Sequence, residues 1–310
     1  MKKTKPKFWS QKKSLFSILL YPISLIVQIY IFLKRRFSSK NKFRIPVICV
    51  GNIYIGGTGK TPLSILISRE LLNLGKRPAI IRKYYKKHKD EHEMIKENFK
   101  NLILNEDRTQ GVKAAQEQGY DTVILDDGFQ DYKIEKNLSI LCFNSKQLLG
   151  NELVLPAGPL RENLSSVKNA QIVMINGKNN LSFEKKLSNL NQNIKIFYSK
   201  YKVIDLDKFK NKKLFAIAGI GNPDNFFDLL VENSLQIEKR LAYPDHYEFS
   251  KEEFEKLVDE ANEKNYQIIM TEKDYYKIKD FNFKEVQYLK VNLEIKNKDQ
   301  FLREINNLYD

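Results

Sequence analysis

Cysteine and histidine are scarce in this chain, which has two cysteines and three histidines among its 310 residues. Cys49 and Cys142 both lie in apolar, strand-like runs, and no metal-ligand spacing surrounds them. We therefore expect two free thiols that pack as small hydrophobic side chains in a reducing compartment. So few histidines and cysteines also disfavour a structural zinc site. The sequence contains no internal repeat.

Acidic residues are outnumbered, because 38 Asp and Glu face 53 Lys and Arg, for a formal net charge of +15. This balance favours anionic partners, namely nucleic acid, phospholipid head groups or phosphorylated substrates. The alternative is a compositional bias without a binding patch, since Lys, Asn and Ile are abundant throughout. Hydrophobic residues make up 42% of the chain, which is enough for one large core or two modest ones.

Charge is absent from residues 14–33, and this run is predicted to form an apolar helix. Twenty helical residues cover about 30 Å, which is one hydrocarbon thickness. No small-residue cleavage site follows, which disfavours a secretory signal. Pro22, Ser24 and Gln28 interrupt the run, so we expect a membrane-embedded or interfacial anchor rather than a clean crossing, with a buried core helix as the alternative. Basic residues flank both ends of the run: Lys2, Lys3, Lys5, Lys7, Lys12, Lys13, Lys34, Arg35, Arg36, Lys40, Lys42 and Arg44.

Short apolar runs alternate with helical patterns after this anchor. The predicted strands are 45–50, 78–82, 101–104, 121–126, 139–143 and 171–175, and then 214–220, 235–241 and 266–271. The predicted helices lie near 62–74, 90–99, 108–118, 223–233 and 250–265. This alternation is typical of an α/β fold with a parallel sheet and helices on both faces.

Three segments are predicted along the chain. They are a basic N-terminal segment with the apolar helix (1–43), a nucleotide-binding domain (44–210) and a smaller C-terminal α/β domain (211–310). The boundary near 210 rests on two linker candidates, the polar stretch 177–193 and the Lys-rich stretch 208–213.

Residues 45–62, IPVICVGNIYIGGTGKTP, combine a strand-like run, a glycine-rich turn, a Lys-Thr pair and the start of a helix. This order predicts a phosphate-binding loop whose backbone N–H groups and helix dipole face phosphate oxygens. Lys60 is expected to reach the β- and γ-phosphates of a nucleotide, and the Thr61 hydroxyl to bind Mg²⁺. The strict pattern would need glycine where Tyr54 stands, so this loop is longer than the common form. The predicted nucleotide-binding residues are Gly56, Gly57, Thr58, Gly59, Lys60 and Thr61.

A second motif, TVILDDGFQ (122–130), brings an apolar run to two carboxylates at a strand end. Carboxylates at this point of a nucleotide-binding sheet organise Mg²⁺, directly or through water. Asp126 and Asp127 are therefore predicted metal ligands, and an acidic turn without a metal is the plainer alternative. In LVLPAGPLRE (153–162), prolines and glycine predict a rigid turn that aims Arg161 at phosphate.

Other segments are candidates for chemistry, each with an ordinary structural alternative. AIAGIGNPDNFF (216–227) predicts a strand, a glycine turn and a helix that could bind an anion. YPDHYEFS (243–250) holds His246, whose loop context favours proton transfer. IIMTEKDYYK (268–277) places polar side chains at a strand end, where α/β proteins gather ligands. Asp90 opens a predicted helix, where N-capping and dipole matching explain it.

In this order the motifs resemble those of the tetraacyldisaccharide 4′-kinases, the lipid A 4′-kinases of Gram-negative bacteria. The resembling segments are VGNIYIGGTGKTP, DDGFQ, LPAGPLRE, AGIGNP, PDH and TEKD, within residues 45–277. An apolar N-terminal helix and the long glycine loop are also typical of that family. The resemblance implies a P-loop-type α/β kinase that uses ATP and Mg²⁺ to phosphorylate the 4′-hydroxyl of a lipid-linked glucosamine disaccharide 1-phosphate, giving lipid IVA. It also implies a location at the cytoplasmic face of the bacterial inner membrane.

The resemblance also assigns roles to residues of this chain. Asp90 would be the base that receives the hydroxyl proton, and His246 would orient and polarise that carboxylate. The roles implied are catalysis for Asp90, His246, Asp127 and Lys60, metal binding for Thr61, Asp126 and Asp127, and substrate or phosphate contact for Arg161, Asn52 and Gln130.

Three features depart from the family's pattern. Asp131 replaces the histidine of DDGFQH, and Ile81-Arg82-Lys83-Tyr84 replaces Ser-Arg-Gly-Tyr. The segment between that stretch and Asp90 is shorter than in many relatives. These departures concern the Asp90 assignment and the acceptor pocket, and they leave the ATP loop unaffected.

Two other functions stay open from the residues themselves. One is a P-loop GTPase, although the Asn-Lys-x-Asp guanine signature is absent. The other is a membrane-tethered ATPase module that regulates a partner. The expected partners are the lipid disaccharide 1-phosphate and the membrane surface, with neither nucleic acid nor an obligate protein partner.

Overall fold

The computed structural model describes residues 6–309, except for the side chain at position 87. Lys2, Lys3 and Lys5 of the predicted basic flank lie outside the described residues. The helices are α1 (Leu15–Phe37), α2 (Lys60–Asn73), α3 (Lys89–Asn98), α4 (Arg108–Glu117), α5 (Leu181–Leu190), α6 (Pro223–Glu232), α7 (Lys251–Glu263), α8 (Glu272–Ile278) and α9 (Lys298–Asn306). The strands are β1 (Val47–Gly51), β2 (Pro78–Lys83), β3 (Leu102–Asn105), β4 (Thr122–Asp126), β5 (Leu138–Asn144), β6 (Ile172–Asn176), β7 (Lys195–Val203), β8 (Leu214–Ala218), β9 (Ile237–Ala242), β10 (Gln267–Thr271), β11 (Val286–Leu289) and β12 (Val291–Ile295).

The described chain divides into two compact units. The phosphate-loop unit comprises residues 6–84, 99–200 and 294–309, and the smaller unit comprises 85–98 and 201–293. The predicted segments 44–210 and 211–310 differ from these units at two places, because 85–98 belong to the smaller unit and 294–309 to the phosphate-loop unit. The domain boundaries at 43/44 and 210/211 stay predictions.

The larger sheet has eight strands in the order β12-β7-β6-β5-β1-β4-β2-β3. Strand β1 pairs in parallel with both β4 and β5, and the remaining pairs from β2–β3 to β6–β7 are parallel as well. Every residue of β1, β4, β5 and β6 is buried, as expected when helices cover both faces of a parallel sheet. The predicted α/β architecture is confirmed, and the carboxyl ends of the central strands β1 and β4 lie side by side.

The smaller unit has its own parallel sheet, in the order β11-β10-β8-β9. Its core contains Phe215, Ile217, Phe254, Ile268 and Met270 between β8, β10 and α7. Apolar residues at intervals of three or four along α7 form the face that packs there.

Helix α1 presents two different surfaces. Ser17 and Ser24 are buried although they are polar. The Ser24 hydroxyl donates to the carbonyl of Val154 (2.8 Å) and accepts from the N–H of Ala157 (3.0 Å), while Asn151 donates to the Ser17 hydroxyl (3.0 Å). Within residues 6–309, α1 is the helix long and apolar enough to cross a membrane by length and composition. Much of its remaining surface is apolar and exposed: Leu15, Phe16, Ile18, Leu19, Tyr21, Ile23, Leu25, Ile26, Ile29, Tyr30, Phe32, Leu33 and Phe37.

Several elements differ from the sequence-based expectations. The stretch 177–193 is not a plain linker, because it contains helix α5, and strand β7 follows it. Strands β11 and β12 and helices α8 and α9 were not predicted. Helix α1 continues four residues past position 33 and contains Pro22.

Candidate functional site

The predicted phosphate loop connects β1 to α2. Gly59 precedes the helix with φ +88°, and Gly56 has φ +109°; such left-handed conformations are strained for residues with a side chain. Gly57 is exposed at the loop surface, and the buried Thr58 faces inward. The structure thus forms the strand, turn and helix that a phosphate cradle requires.

Asn52 stabilises this loop from inside. Its fully buried amide donates to the carbonyl of Tyr54 (2.6 Å), the carbonyl of Gly56 (3.3 Å) and the hydroxyl of Thr58 (3.0 Å). Asn52 was predicted to contact substrate or phosphate, but the structure encloses it within the loop. Its amide protons hold the turn in this conformation, and its contact with substrate or phosphate stays a prediction.

The carboxylate of Asp126, at the end of β4, is fully buried beside the first turn of α2. The Thr61 hydroxyl donates to one of its oxygens (3.0 Å), and the Ser64 hydroxyl donates to the other (2.9 Å). The guanidinium of Arg82, at the end of β2, forms an ion pair with the same carboxylate. Hydroxyl and carboxylate oxygens are the hard donors that Mg²⁺ prefers, so these residues fit a magnesium ion.

Asp127 is partly exposed next to Asp126 and adopts a left-handed conformation with φ +55°. Arg161 donates to both of its oxygens (2.9 and 3.1 Å), and the Lys60 ammonium lies 3.6 Å from one of them. Burial would raise the pKa of Asp127, but the charges of Lys60, Arg161 and Arg82 hold that pKa well below its usual range. Asp127 is therefore an ionised carboxylate held by cations at the predicted phosphate site.

Burial has the opposite effect on the lysine of this pair. It lowers the pKa of Lys60, and the nearby Asp127 carboxylate partly offsets that effect. An ammonium group that is already poorly hydrated binds an anion at a smaller desolvation cost.

Gln130 connects the predicted phosphate contacts to one another. Its amide donates to the carbonyl of Asn52 (2.9 Å) and to the carboxylate of Glu162 (3.0 Å), and its oxygen accepts from Arg161 (3.4 Å). The backbone N–H of Arg161 donates to the carbonyl of Ile53 (2.6 Å). The loop after β1, the DDGFQ motif and the LPAGPLRE motif are thus one hydrogen-bonded assembly.

Asp131, which departs from the family's pattern, has a cationic neighbour. Its carboxylate lies 3.9 Å from the guanidinium of Arg108. Arg108 also donates to the carbonyl of Asp127 (2.8 Å) and approaches that of Asp126 (3.3 Å). The acidic replacement therefore faces an arginine that supports the two metal-ligand candidates.

Asp90 and His246 come together in the smaller unit. Asp90 is buried in the first turn of α3, and its carboxylate oxygen lies 3.6 Å from His246 Nδ1. Burial would raise the pKa of Asp90, but His246 and the charge of Lys273 hold it below its usual value. The His246 ring stacks on the ring of His88, with centroids 4.2 Å apart. The Lys273 ammonium also pairs with Glu91 (2.8 Å).

The AGIGNP and TEKD motifs contact each other in the same unit. Asp274, fully buried, accepts from the N–H of Gly219 (2.8 Å) and from the hydroxyl of Thr271 (2.7 Å). Lys277 donates to the carbonyl of Gly219 (3.0 Å) and pairs with Asp274. These contacts fix the loop between β8 and α6, and the anion site stays a prediction.

Three residues of the site were missed by the sequence reasoning. Ser64 lies one turn beyond Thr61 on the same helix face, and that spacing was a usable signal. Arg82 is the penultimate residue of β2, which pairs with β4, so knowledge of the sheet order would have placed it beside Asp126. Arg108 carried no local signal, because the carbonyls of Asp126 and Asp127 and the nearby carboxylate of Asp131 are all at least 18 residues further along the chain.

Comparisons with known proteins match this chain to one family over nearly its whole length. The family model described as "LpxK: Tetraacyldisaccharide-1-P 4′-kinase" matches residues 16–310. The chain is 40% identical over 302 residues to the tetraacyldisaccharide 4′-kinase of Pelagibacter ubique, with 95% of both chains covered. It is 32% identical over 324 residues to the protein of the same name from Francisella tularensis subsp. novicida, with 93% of this chain and 98% of the relative covered.

A solved structure supports the same fold. The "apo" form LpxK from Aquifex aeolicus, solved in complex with ATP, matches with a TM-score of 0.72 and 22% sequence identity. The match covers 96% of this chain and 100% of that chain. At this level of identity the likeness establishes the fold, which agrees with the parallel α/β sheet described above.

Proposed function

This chain belongs to the tetraacyldisaccharide-1-P 4′-kinase family, and we propose how its residues carry out the kinase reaction. The reaction is ATP-dependent phosphorylation of the 4′-position of a tetraacyldisaccharide 1-phosphate in lipid A synthesis, which confirms the predicted activity. The nucleotide-binding residues are those of the loop between β1 and α2, and the acid–base pair is Asp90 and His246.

The nucleotide phosphates bind the loop before α2. Backbone N–H groups at the start of the helix face the phosphates, and Lys60 contacts the β- and γ-phosphate oxygens. Lys60 and Arg161 both bind the Asp127 carboxylate in this structure. Phosphate oxygens would compete with Asp127 for these cations, so the carboxylate keeps both side chains oriented until the nucleotide arrives.

Thr61, Asp126 and Asp127 would hold Mg²⁺. The hydrogen bond between the Thr61 hydroxyl and Asp126 already brings two of these donors together. When bound, the ion neutralises negative charge on the transferring phosphoryl group. Ser64 and Arg82 fix the Asp126 carboxylate from its other sides, which limits its movement.

Asp90 would accept the proton of the acceptor hydroxyl. Because its pKa lies below the usual value, the carboxylate is ionised at neutral pH and can accept that proton. His246 Nδ1 lies 3.6 Å from the carboxylate and would orient it. As the 4′-oxygen bonds to the γ-phosphorus, the bond from that phosphorus to the β,γ-bridging oxygen would break and ADP would leave, while the hydroxyl proton passes to Asp90.

Helix α1 would lie in the membrane surface at the cytoplasmic face of the inner membrane, where ATP is available. The buried hydroxyls of Ser17 and Ser24 form hydrogen bonds with the rest of the protein, so this edge of the helix cannot face lipid. The apolar remainder of the helix is exposed and suited to lipid tails. Basic residues that follow the helix, such as Lys40 and Arg44, would attract anionic head groups.

One observation carries this proposal: the ends of β1 and β4 bring Lys60, Thr61, Asp126 and Asp127 together at a glycine loop. The test is phosphate transfer from γ-labelled ATP to tetraacyldisaccharide 1-phosphate in detergent micelles, measured with and without the acceptor, with GTP as competitor. We expect labelled lipid product and weak competition by GTP. ATP hydrolysis that ignores the acceptor would instead indicate a regulatory ATPase, and preferential GTP binding would indicate a GTPase.

A further inference from the structure

A buried carboxylate links helix α1 to the phosphate site. Glu162 follows Arg161 directly, and its side chain is 1% exposed. Arg35, in the last turn of α1, forms an ion pair with this carboxylate, and the Ser166 hydroxyl donates to the same oxygen (2.7 Å). The Arg35 guanidinium also lies over the Tyr132 ring, 5.0 Å from its centroid.

The other oxygen of Glu162 leads towards the nucleotide loop. It accepts from the Gln130 amide (3.0 Å), which also donates to the carbonyl of Asn52 at the base of the loop (2.9 Å). Arg161, adjacent in sequence, donates to Asp127. Two connections therefore run from Glu162 to the phosphate site, one through Gln130 and one through the backbone of Arg161.

Arg35 lies on a polar edge of α1 that faces the protein, whereas the rest of the helix surface is apolar and exposed. Ser17, Ser24, Gln28 and Arg35 recur at intervals of seven, four and seven residues, which places them on one edge of the helix. Gln28 accepts from Asn163, next to Glu162. Over most of the length of α1, this edge therefore contacts the segment 151–163, which carries Arg161.

We propose that Arg35 is a positioning residue, which acts from helix α1 through the buried carboxylate of Glu162 to hold Arg161 and Gln130 at the phosphate site. This proposal rests on the proposed function of Arg161. A buried carboxylate that loses its cation must move towards water or take up a proton. Either change alters the Glu162–Gln130 hydrogen bond and displaces the adjacent Arg161 from Asp127.

The test uses the full chain in detergent micelles and compares Arg35→Met with Arg36→Met. Arg36 is the adjacent, exposed arginine of the same helix, so its variant loses the same charge near the membrane without touching Glu162. Displacement of a phosphate-binding residue by about 1 Å reduces turnover up to a hundredfold. We expect Arg35→Met to lower kcat/KM for ATP roughly ten- to a hundredfold, with KM for ATP raised and KM for the lipid acceptor unchanged. Arg36→Met should stay within about twofold of the wild type.

The KM pattern separates positioning from other losses. Partial misfolding lowers kcat with both KM values unchanged, and weakened membrane docking raises KM for the lipid alone, so either pattern would overturn the proposal. The double variant Arg35→Met/Glu162→Gln adds a second criterion, because the neutral amide no longer needs a cation. We expect it to recover part of the activity lost in Arg35→Met, whereas additive losses would contradict the coupling.

The same series distinguishes failure of the two proposals. If the wild type transfers no phosphate to the lipid, the proposed function fails. If the wild type is active but Arg35→Met behaves like Arg36→Met, the positioning role alone is wrong.

Discussion

Substitution of Lys60 by alanine should lower turnover strongly and leave the free energy of unfolding nearly unchanged. The Lys60 ammonium lies 3.6 Å from Asp127, whose carboxylate also receives two hydrogen bonds from Arg161. Removal of Lys60 therefore leaves Asp127 paired with a cation. The variant loses the attraction between Lys60 and Asp127. It also no longer has to bury a charged ammonium group, a cost that lowers the pKa of Lys60, and this gain offsets the loss. We expect the free energy of unfolding to change by about 1 kcal/mol or less.

The effect on catalysis should be much larger. Loss of one preorganised group that stabilises transition-state charge lowers kcat by roughly 10²–10³, or about 2.7–4 kcal/mol. The assay is phosphate transfer to tetraacyldisaccharide 1-phosphate, with urea unfolding measured on the same preparations. Lys113→Ala, an exposed lysine on α4, is the control and should change neither quantity.

Two results would refute this reasoning. Turnover of Lys60→Ala within threefold of the wild type would show that the ammonium does not contact the phosphates. A loss of stability that accounts for the loss of turnover would show that Lys60 is a structural residue.

Three further predictions follow from the contacts described. Asp90→Ala and His246→Ala should each lower turnover, and the double variant should lose little more than the worse single variant, because the pair acts as a unit; additive losses measured in the same assay would contradict the pairing. Gly51→Ala should destabilise the fold by roughly 1–3 kcal/mol in urea unfolding, because a Cβ there would lie 2.4 Å from the Cβ of Phe129; unchanged stability would mean that the strand end shifts freely. Since the folded-state pKa of Asp127 is depressed, its stabilising contribution is present above about pH 4 and is lost as the pH falls through the folded pKa. The difference in unfolding free energy between wild type and Asp127→Asn should therefore shrink as the pH is lowered below 4, and a constant difference would argue against the shift.

Sequence patterns predicted the glycine loop and the strand that ends in Asp126, because the signals for these elements are local. The loop before α2 needs glycine where φ is positive, as at Gly56 and Gly59. Asp126 ends a fully buried strand, and adjacent parallel strands bring their carboxyl ends to one edge of a sheet. Thr61 lies close to Asp126 because β4 pairs with β1 in the sheet, and that pairing is seen only in the structure.

Secondary structure was missed where few apolar residues carry the pattern. Helix α5 fully buries only Phe183 and Leu187 among its ten residues, and Ser, Glu, Lys and Asn residues separate its few apolar side chains, so 177–193 resembled a linker. Strand β7 buries Phe197 and Tyr198 but exposes lysines at both ends. In both elements tertiary packing supplies the stability that local propensity does not indicate.

Side-chain partners distant in sequence were beyond sequence reasoning. Arg35 and Glu162 are 127 residues apart, and neither position has a local pattern that names the other. Asn52 illustrates a different limit, because an amide beside a phosphate loop is equally suited to bind phosphate or to brace the turn. Only the packing around it shows that its protons are already used.

The serine-bearing edge of α1 has a geometric consequence for how this protein meets lipid. A helix is about 10 Å wide with its side chains, whereas half of a bilayer's hydrocarbon is about 15 Å deep. If α1 lies in the membrane surface as proposed, its hydrogen bonds at Ser17 and Ser24 would leave only the opposite, apolar side of the helix for lipid, so the helix would enter one leaflet only. Protein and acylated substrate would then share the same half of the bilayer, and the sugar to be phosphorylated would stay at the level of the polar head groups.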